Sequence, residues 1–294
     1  MAEVVTLQIP QRVTYRSTSE LSTRFFANDY SKQQPKKIVF DLSPLEYFDT
    51  EGLGYLVLLP FYLRLFCSNI EVKLPHPNNR VASFFSYSRA LNILVDNFRT
   101  PGISVVEDYN FLQKRYPRIQ RSIKSNVDVF EKQSFVDYLH RGMEHIRLLI
   151  EDNELWEYFS MCFYELTQNI FEHSGETMGS FSFQYQTSKG TRGPVLDVAI
   201  TDIGIGIKRT LLRNSQIKQG KDDTYYLEQA ITEGISGTSE RERGIGLKEV
   251  VQYESQVQIT SGGGVIQTYD GNIIKRTNTI HSRRGTSIFI SIEL

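Results

Sequence analysis

The sequence is poor in the residues that would staple or anchor it. Its two cysteines, Cys67 and Cys162, sit in apolar surroundings and form no C-x-x-C pair, which leaves neither a disulfide framework nor a cysteine-based zinc site. They read as buried thiols in a reducing compartment. No apolar run is long enough to cross a bilayer, since the most apolar stretch, Leu53 to Phe66, is short and interrupted by Pro60 and Arg64. The opening residues MAEVVTLQIP lack the basic region and apolar core of a signal peptide. Excess charge of either sign is also missing. At a formal net charge of −1, nothing global calls for nucleic acid or an acidic membrane as partner. Low-complexity tracts and internal repeats are absent. A soluble, cytoplasmic chain with no membrane partner is the expectation that follows.

What is present is globular: 294 residues, 40% hydrophobic and 23% charged, enough for two domains of ordinary size. The first hundred residues alternate between strand and helix signals. Val4 to Tyr15 reads as an edge or bent strand because of Pro10. Ser17-Thr18-Ser19-Glu20 reads as a capping box opening a helix to about Tyr30. Lys37 to Leu42 and Ile70 to Leu74 are short buried strands, and Leu53 to Phe66 and Arg80 to Phe98 are helices. Such alternation predicts one sheet with helices packed on it.

Residues Arg99 to Asn126 read as a connection. Lys114, Arg115, Arg118, Arg121 and Lys124 form a basic stretch with no acid between Asp108 and Asp128, either a solvated face or a docking patch. Phe130 to Ile150 has helical periodicity, and His140 and His145 on it read as ordinary surface or core histidines.

Leu155 to His173 reads as an amphipathic helix with Trp156, Phe159, Phe163, Leu166 and Ile170 on its buried stripe. Glu165, Asn169 and His173 lie one turn apart on a neighbouring face. A carboxylate, an amide and an imidazole in line can hold a hydrated cation and its phosphates, or form a polar face in solvent. Two strands follow, Ser180 to Gln186 and Val195 to Thr201, and the second runs into Asp202-Ile203-Gly204-Ile205-Gly206. There the glycines open the backbone to a ligand and the carboxylate can accept from an exocyclic amine. Ile207 to Glu242 has the composition of a mobile lid. Arg243-Gly244-Ile245-Gly246-Leu247 then opens a helix whose N-terminus can face phosphate, and the chain ends in strands after Gly285-Thr286.

Two resemblances rest on these residues. IVFDLSPLEYFDTEGLGYLVLL, Ile38 to Leu59, resembles the core signature of STAS domains, in which a strand ending Asp-Leu is followed by Asp-Ser-Ser/Thr-Gly-Leu at a helix start. The resemblance makes Thr50 a candidate phosphoacceptor, with Glu51 where the family usually has Ser or Thr. The same Asp-Thr pair is equally an ordinary helix N-cap. The pieces from Asn153 to Leu294 resemble the Bergerat-type ATP-binding fold of the GHKL superfamily, which includes gyrase, histidine kinases and anti-sigma-factor kinases.

By that resemblance Glu165 positions or activates the attacking group and Asn169 is the Mg2+ ligand. Asp202 reads adenine, with Gly204 and Gly206 shaping the pocket. Arg243, Gly244 and Gly246 lie beside the phosphates with His173, and Thr286 assists adenine recognition. The Glu-x3-Asn-x3-His helix, with no long transducer domain after it, points to the anti-sigma-factor kinase and histidine-kinase branches.

The resulting expectation is a mixed α/β (α+β) chain: a STAS-like regulatory domain at 1–100, a helical and basic connector at 101–150, and an ATP-binding α/β sandwich at 151–294. It would be a Mg-ATP-dependent switch, either a Ser/Thr kinase or ATPase of the anti-sigma type or a non-hydrolysing ATP-gated interaction module. Its partner would be a sigma factor, an anti-sigma protein or another regulator, and homodimerisation stays open. A nucleic-acid-associated regulator using the basic stretch is the remaining alternative, the one least supported by the charge.

Overall fold

A computed structural model describes residues 4–27, 35–76, 79–87, 90, 103–106, 125–131, 143–144, 146–173, 175, 178–187, 193–232, 245–252 and 255–294. The chain is mixed α/β, with one parallel and one antiparallel sheet. The elements in order are β1 (Val4–Gln8), β2 (Arg12–Val13), α1 (Tyr15–Ala27), β3 (Lys37–Asp41), β4 (Tyr47–Phe48), α2 (Thr50–Leu63), β5 (Ile70–Lys73) and α3 (Arg80–Tyr87). After β6 (Ile103–Val106) and β7 (Ser125–Glu131) come α4 (Asn153–His173), β8 (Met178–Gln186), β9 (Val195–Thr201), α5 (Gly206–Leu211) and α6 (Asp223–Thr232). α7 (Ile245–Val251) and the long strands β10 (Gln256–Tyr269) and β11 (Asn272–Glu293) complete the chain.

The first sheet has the order β1-β3-β5-β6, all parallel. Its strands are short, with Leu7, Ile38, Phe40, Ile70 and Val72 buried while Thr6, Gln8, Lys37, Glu71 and Lys73 are partly or fully exposed. The expected first strand ends early. Pro10 breaks it, and α1 begins at Tyr15 rather than at the Ser17 capping box. Asp49 supplies the caps: its Oδ1 accepts from Gly52 N at 2.7 Å at the start of α2, and its Oδ2 accepts from Tyr15 N at 3.1 Å at the start of α1. One carboxylate therefore sets the entry of two helices.

The second sheet is antiparallel, in the order β10-β11-β9-β8-β7. Strand alternation sends Phe181, Phe183, Val198, Ile200, Ile288 and Ile290 to one face, where they bury against Phe159, Phe163, Leu166 and Ile170 of α4. Phe163 meets Phe181 edge to face at 4.6 Å between ring centroids. Burying each such side chain contributes roughly 1.5–3 kcal/mol, so this stripe is what places α4 on the sheet.

The opposite face of that sheet is polar yet fully buried. Register brings Thr260, Ser287, Thr201 and Ser180 into one row across β10, β11, β9 and β8, each 0% exposed. Helix α2 lies on this row. Ser180 Oγ donates to Gly54 O at 2.8 Å and Ser182 Oγ donates to Thr50 O at 2.6 Å. A Cβ on Gly54 would come within 2.9 Å of Ser180 Oγ, so glycine here lets the helix backbone rest on the sheet. On its other side α2 contributes Leu53, Leu56, Val57 and Leu63 to the core of the first unit. One helix, almost wholly buried, thus serves both sheets.

The segment expected to be a connector supplies a strand to each sheet. β6 pairs with β5, and β7 pairs with β8. The helical periodicity read over Phe130 to Ile150 does not hold at its start, where Phe130 and Glu131 lie in β7; Met143, Glu144, Ile146 and Arg147 are helical, and 132–142 lie outside the described residues. The basic residues Lys114 to Lys124, together with His140 and His145, lie outside the described residues. Within the segment expected to be a lid, α5 and α6 form a small core of their own from Leu211, Ile217, Tyr226 and Ala230. Among the described residues no helix is long and apolar enough to cross a membrane.

Candidate functional site

The Asp202 loop leaves β9 and turns into α5 at the edge of the second sheet. Asp202 is 5% exposed. Its backbone N donates to Thr286 O at 2.9 Å, and its Oδ1 accepts from Gly204 N at 2.6 Å, an Asx-type turn that holds the carboxylate at the strand end. Gly285 lies directly on the Asp202 carbonyl with a φ of +79°, and a Cβ there would overlap the Asp202 backbone. Positive φ and close approach together demand glycine. Gly206 opens α5 with a φ of +78°.

Ser261 ties the loop to the two long strands. Its Oγ accepts from Ile207 N at 3.0 Å, donates to Gly285 O at 3.1 Å and lies 3.1 Å from Thr286 Oγ1. Gly206, Gly285 and Thr286 are thereby brought to one hydroxyl, with Asp202 and Gly204 joined to them through the bond from Asp202 N to Thr286 O and the Asp202–Gly204 turn. Ser261 itself was not a candidate from sequence. The Ser-Gly-Gly-Gly interruption in β10 is the signal that could have found it.

Helix α4 forms the neighbouring wall. Glu165 and Asn169 are half-buried on it, one turn apart. Gly246, near the start of α7, stands against the Glu165 side chain so closely that a Cβ would overlap its carboxylate. Burial first, then the carboxylates of Glu249 and Glu172, push the Glu165 carboxyl above its ordinary value. Past the C-terminal end of α4, Gly175 lies beside Ile205 of the Asp202 loop. Cys162 on the buried stripe is inert: burial pushes its thiol up to about 12. His173 ends α4, and Arg243 and Gly244 lie outside the described residues.

Thr50 is 5% exposed at the first turn of α2, and its carbonyl takes the Ser182 hydroxyl. Its neighbour Glu51 is ion-paired with Arg283 and accepts from Gln258 Nε2 at 3.0 Å. Both residues therefore face the second sheet, away from the solvent that a phosphoacceptor needs.

The donor set suits a purine nucleotide with its metal. A buried carboxylate and a hydroxyl at adjoining strand ends can bind an exocyclic amine, and glycine backbone beside them leaves room for a flat ring. A half-buried amide is a suitable single protein ligand for Mg2+, which otherwise keeps phosphate and water ligands. A carboxyl with a raised proton affinity is a stronger proton acceptor than an ordinary carboxylate. No protein-family model matches the chain, and a search of curated proteins returns no match.

Proposed function

We propose that the chain is a Mg-ATP-binding regulatory switch. In this reading residues 151–294 form a Bergerat-type ATP module of the GHKL kind, and residues 1–100 form a STAS-like unit docked against it. The observation that carries the reading is the joining of Asp202, Gly204, Gly206, Gly285 and Thr286 through Ser261 and the Asp202 turn, next to a helix that presents Glu165 and Asn169. Supporting it in the first unit is α2, which starts at Asp49-Thr50-Glu51-Gly52 after a parallel strand.

Bound Mg-ATP would supply a transferable phosphoryl group. The chain's own residues do the rest. Asp202 accepts from the exocyclic amine and Thr286 assists through its hydroxyl. Asn169 holds the metal, and Glu165 takes the proton from an attacking hydroxyl or water, while positioning and charge neutralisation lower most of the barrier.

One observation favours the non-hydrolysing, ATP-gated form of this reading over transfer to Thr50 in cis. Thr50 is buried in the first turn of α2 where that turn rests on β8, so its hydroxyl becomes an acceptor only if the first unit undocks. The regulated partner, by either route, is another protein: a sigma factor, an anti-sigma protein or another regulator.

Equilibrium binding of Mg-ATP to the purified full chain tests the reading, followed by incubation with ATP labelled at the γ-phosphate. Wild type should bind, and Asp202→Ala should bind about 10-fold or more weakly through loss of a charged hydrogen-bond acceptor. Glu165→Gln should keep binding and lose any turnover. Binding without phosphate release or labelled protein selects the gated module. No binding by wild type overturns the reading.

A further inference from the structure

The Asp202 loop is held from outside its own sheet. Ile203, between Asp202 and Gly204, is 4% exposed and its side chain belongs to the core of the first unit, among residues contributed by α1, α2 and the parallel sheet. Its carbonyl accepts from Arg284 Nε at 3.0 Å. The Arg284 guanidinium is in turn oriented by the first unit: it lies over the Tyr62 ring at 4.6 Å and donates through Nη1 to the Tyr62 hydroxyl, both at the end of α2. The Arg284 backbone N donates to Ser22 Oγ of α1 at 2.8 Å.

Residues 282–286 consequently touch first one unit and then the other. Ser282 O accepts from Thr23 Oγ1, Arg283 pairs with Glu51, and Arg284 binds Ser22 and Tyr62. The next two residues, Gly285 and Thr286, pack on Asp202 and bond to it. A shift of α2 relative to β11 cannot leave the Asp202 loop in place, because the same five residues are gripped from both sides. The grip is also incompletely satisfied: Arg283 is fully buried, and its Nε and Nη2 have no hydrogen-bond partner among the described residues. Such a buried, half-satisfied network makes the docked arrangement easier to leave than a dry apolar interface.

Resting on the nucleotide reading above, we propose that Arg284 is a positioning residue for the Asp202 loop, set by Tyr62, so that docking of the first unit controls ATP affinity and ATP controls docking. The docked state is the competent one. Linkage makes the effect reciprocal: whatever factor docking contributes to ATP affinity, ATP contributes to docking.

The test compares Mg-ATP affinity of the full chain in wild type, Tyr62→Phe and Arg284→Lys. A core variant of the parallel sheet, Ile70→Val on β5, serves as control, and the folded state of each protein is checked by thermal melting. Tyr62→Phe keeps the packing and removes the hydroxyl that Arg284 binds. Arg284→Lys cannot reach the Ile203 carbonyl and Tyr62 together. Both should bind ATP about 5-fold or more weakly, the lower end of ordinary coupling, while Ile70→Val should bind as wild type does. Either tether variant suffices if the other fails to fold. Equal affinity in wild type and a folded tether variant overturns the inference and leaves the nucleotide reading standing. An equal loss in Ile70→Val overturns it too, by showing a general effect of instability. Failure of wild type to bind ATP removes the nucleotide reading and this regulation with it.

Discussion

Glu51 and Arg283 stand 232 positions apart in the chain and form a buried ion pair, Arg283 Nη1 donating to Glu51 Oε1 at 2.7 Å with both side chains excluded from solvent. The guanidinium lies over the Tyr55 ring at 4.5 Å, and Gln258 Nε2 donates to the second carboxylate oxygen. Burial pushes the Glu51 carboxyl up, and Arg283 opposes that shift. Truncating one partner leaves the other charge buried alone. Glu51→Ala should therefore lose about 3–5 kcal/mol of stability, whereas the double variant Glu51→Leu with Arg283→Met should recover much of it. Urea denaturation of the three proteins measures both values. A loss below about 1 kcal/mol in Glu51→Ala would mean that the pair is solvated.

Asp49 predicts a pH dependence. Burial, then the nearby Glu51 carboxylate, push its carboxyl up to about 7 against the lowering effect of the Gly52 and Tyr15 N–H groups. The folded chain thus holds a proton that the unfolded chain, with its carboxyl near 3.8, releases. Stability from this group is fully present below the unfolded value and is lost as pH rises from there through about 7. Melting temperatures across that window should fall in wild type, with a flatter profile in Asp49→Asn.

Gly54 predicts a steric effect at the helix-on-sheet contact. Gly54→Ala places a methyl group against Ser180 Oγ, and forcing a methyl into packed structure costs about 1–3 kcal/mol. Ser180→Ala in the same chain removes the clashing oxygen and should return part of the loss. Chemical denaturation of the single and double variants reads the coupling directly.

Gly246 predicts an effect on chemistry with little on folding. Its Cβ would displace the Glu165 side chain, whose far end is free to swing. If the chain turns over ATP, Gly246→Ala should lower the rate by about 10-fold or more while the melting temperature stays near that of wild type. The rate should also climb with pH through a value above the ordinary carboxylate range, since Glu165 works as a base only once ionised.

Much of the local structure was legible. The periodicity of Trp156, Phe159, Phe163, Leu166 and Ile170 predicted a helix at Leu155 to His173, and α4 spans Asn153–His173. The aspartate at a strand end followed by spaced glycines predicted a loop at Asp202, and the loop is there. Less legible was whatever depended on a distant partner. Ser17 has the sequence of a cap, yet α1 starts two residues earlier because Asp49, 34 positions away, supplies the acceptor. The polar composition after Ile207 suggested a mobile lid, whereas Leu211, Ile217, Tyr226 and Ala230 are spaced too irregularly to announce the small core they form.

The polar face of the second sheet divides the two kinds of information. Alternation in Ser180 to Gln186 and Val195 to Thr201 determined by itself which side chains share a face, since successive strand residues point to opposite sides. Hydroxyls on one side and phenylalanines on the other are equally what a sheet with one solvated face would show. Only the tertiary structure decided that α2 covers the hydroxyl row. The reason is physical: Gly54 lets the helix backbone approach, Ser180 and Ser182 satisfy its carbonyls, and the Glu51 carboxylate finds Arg283. No single segment contains those partners.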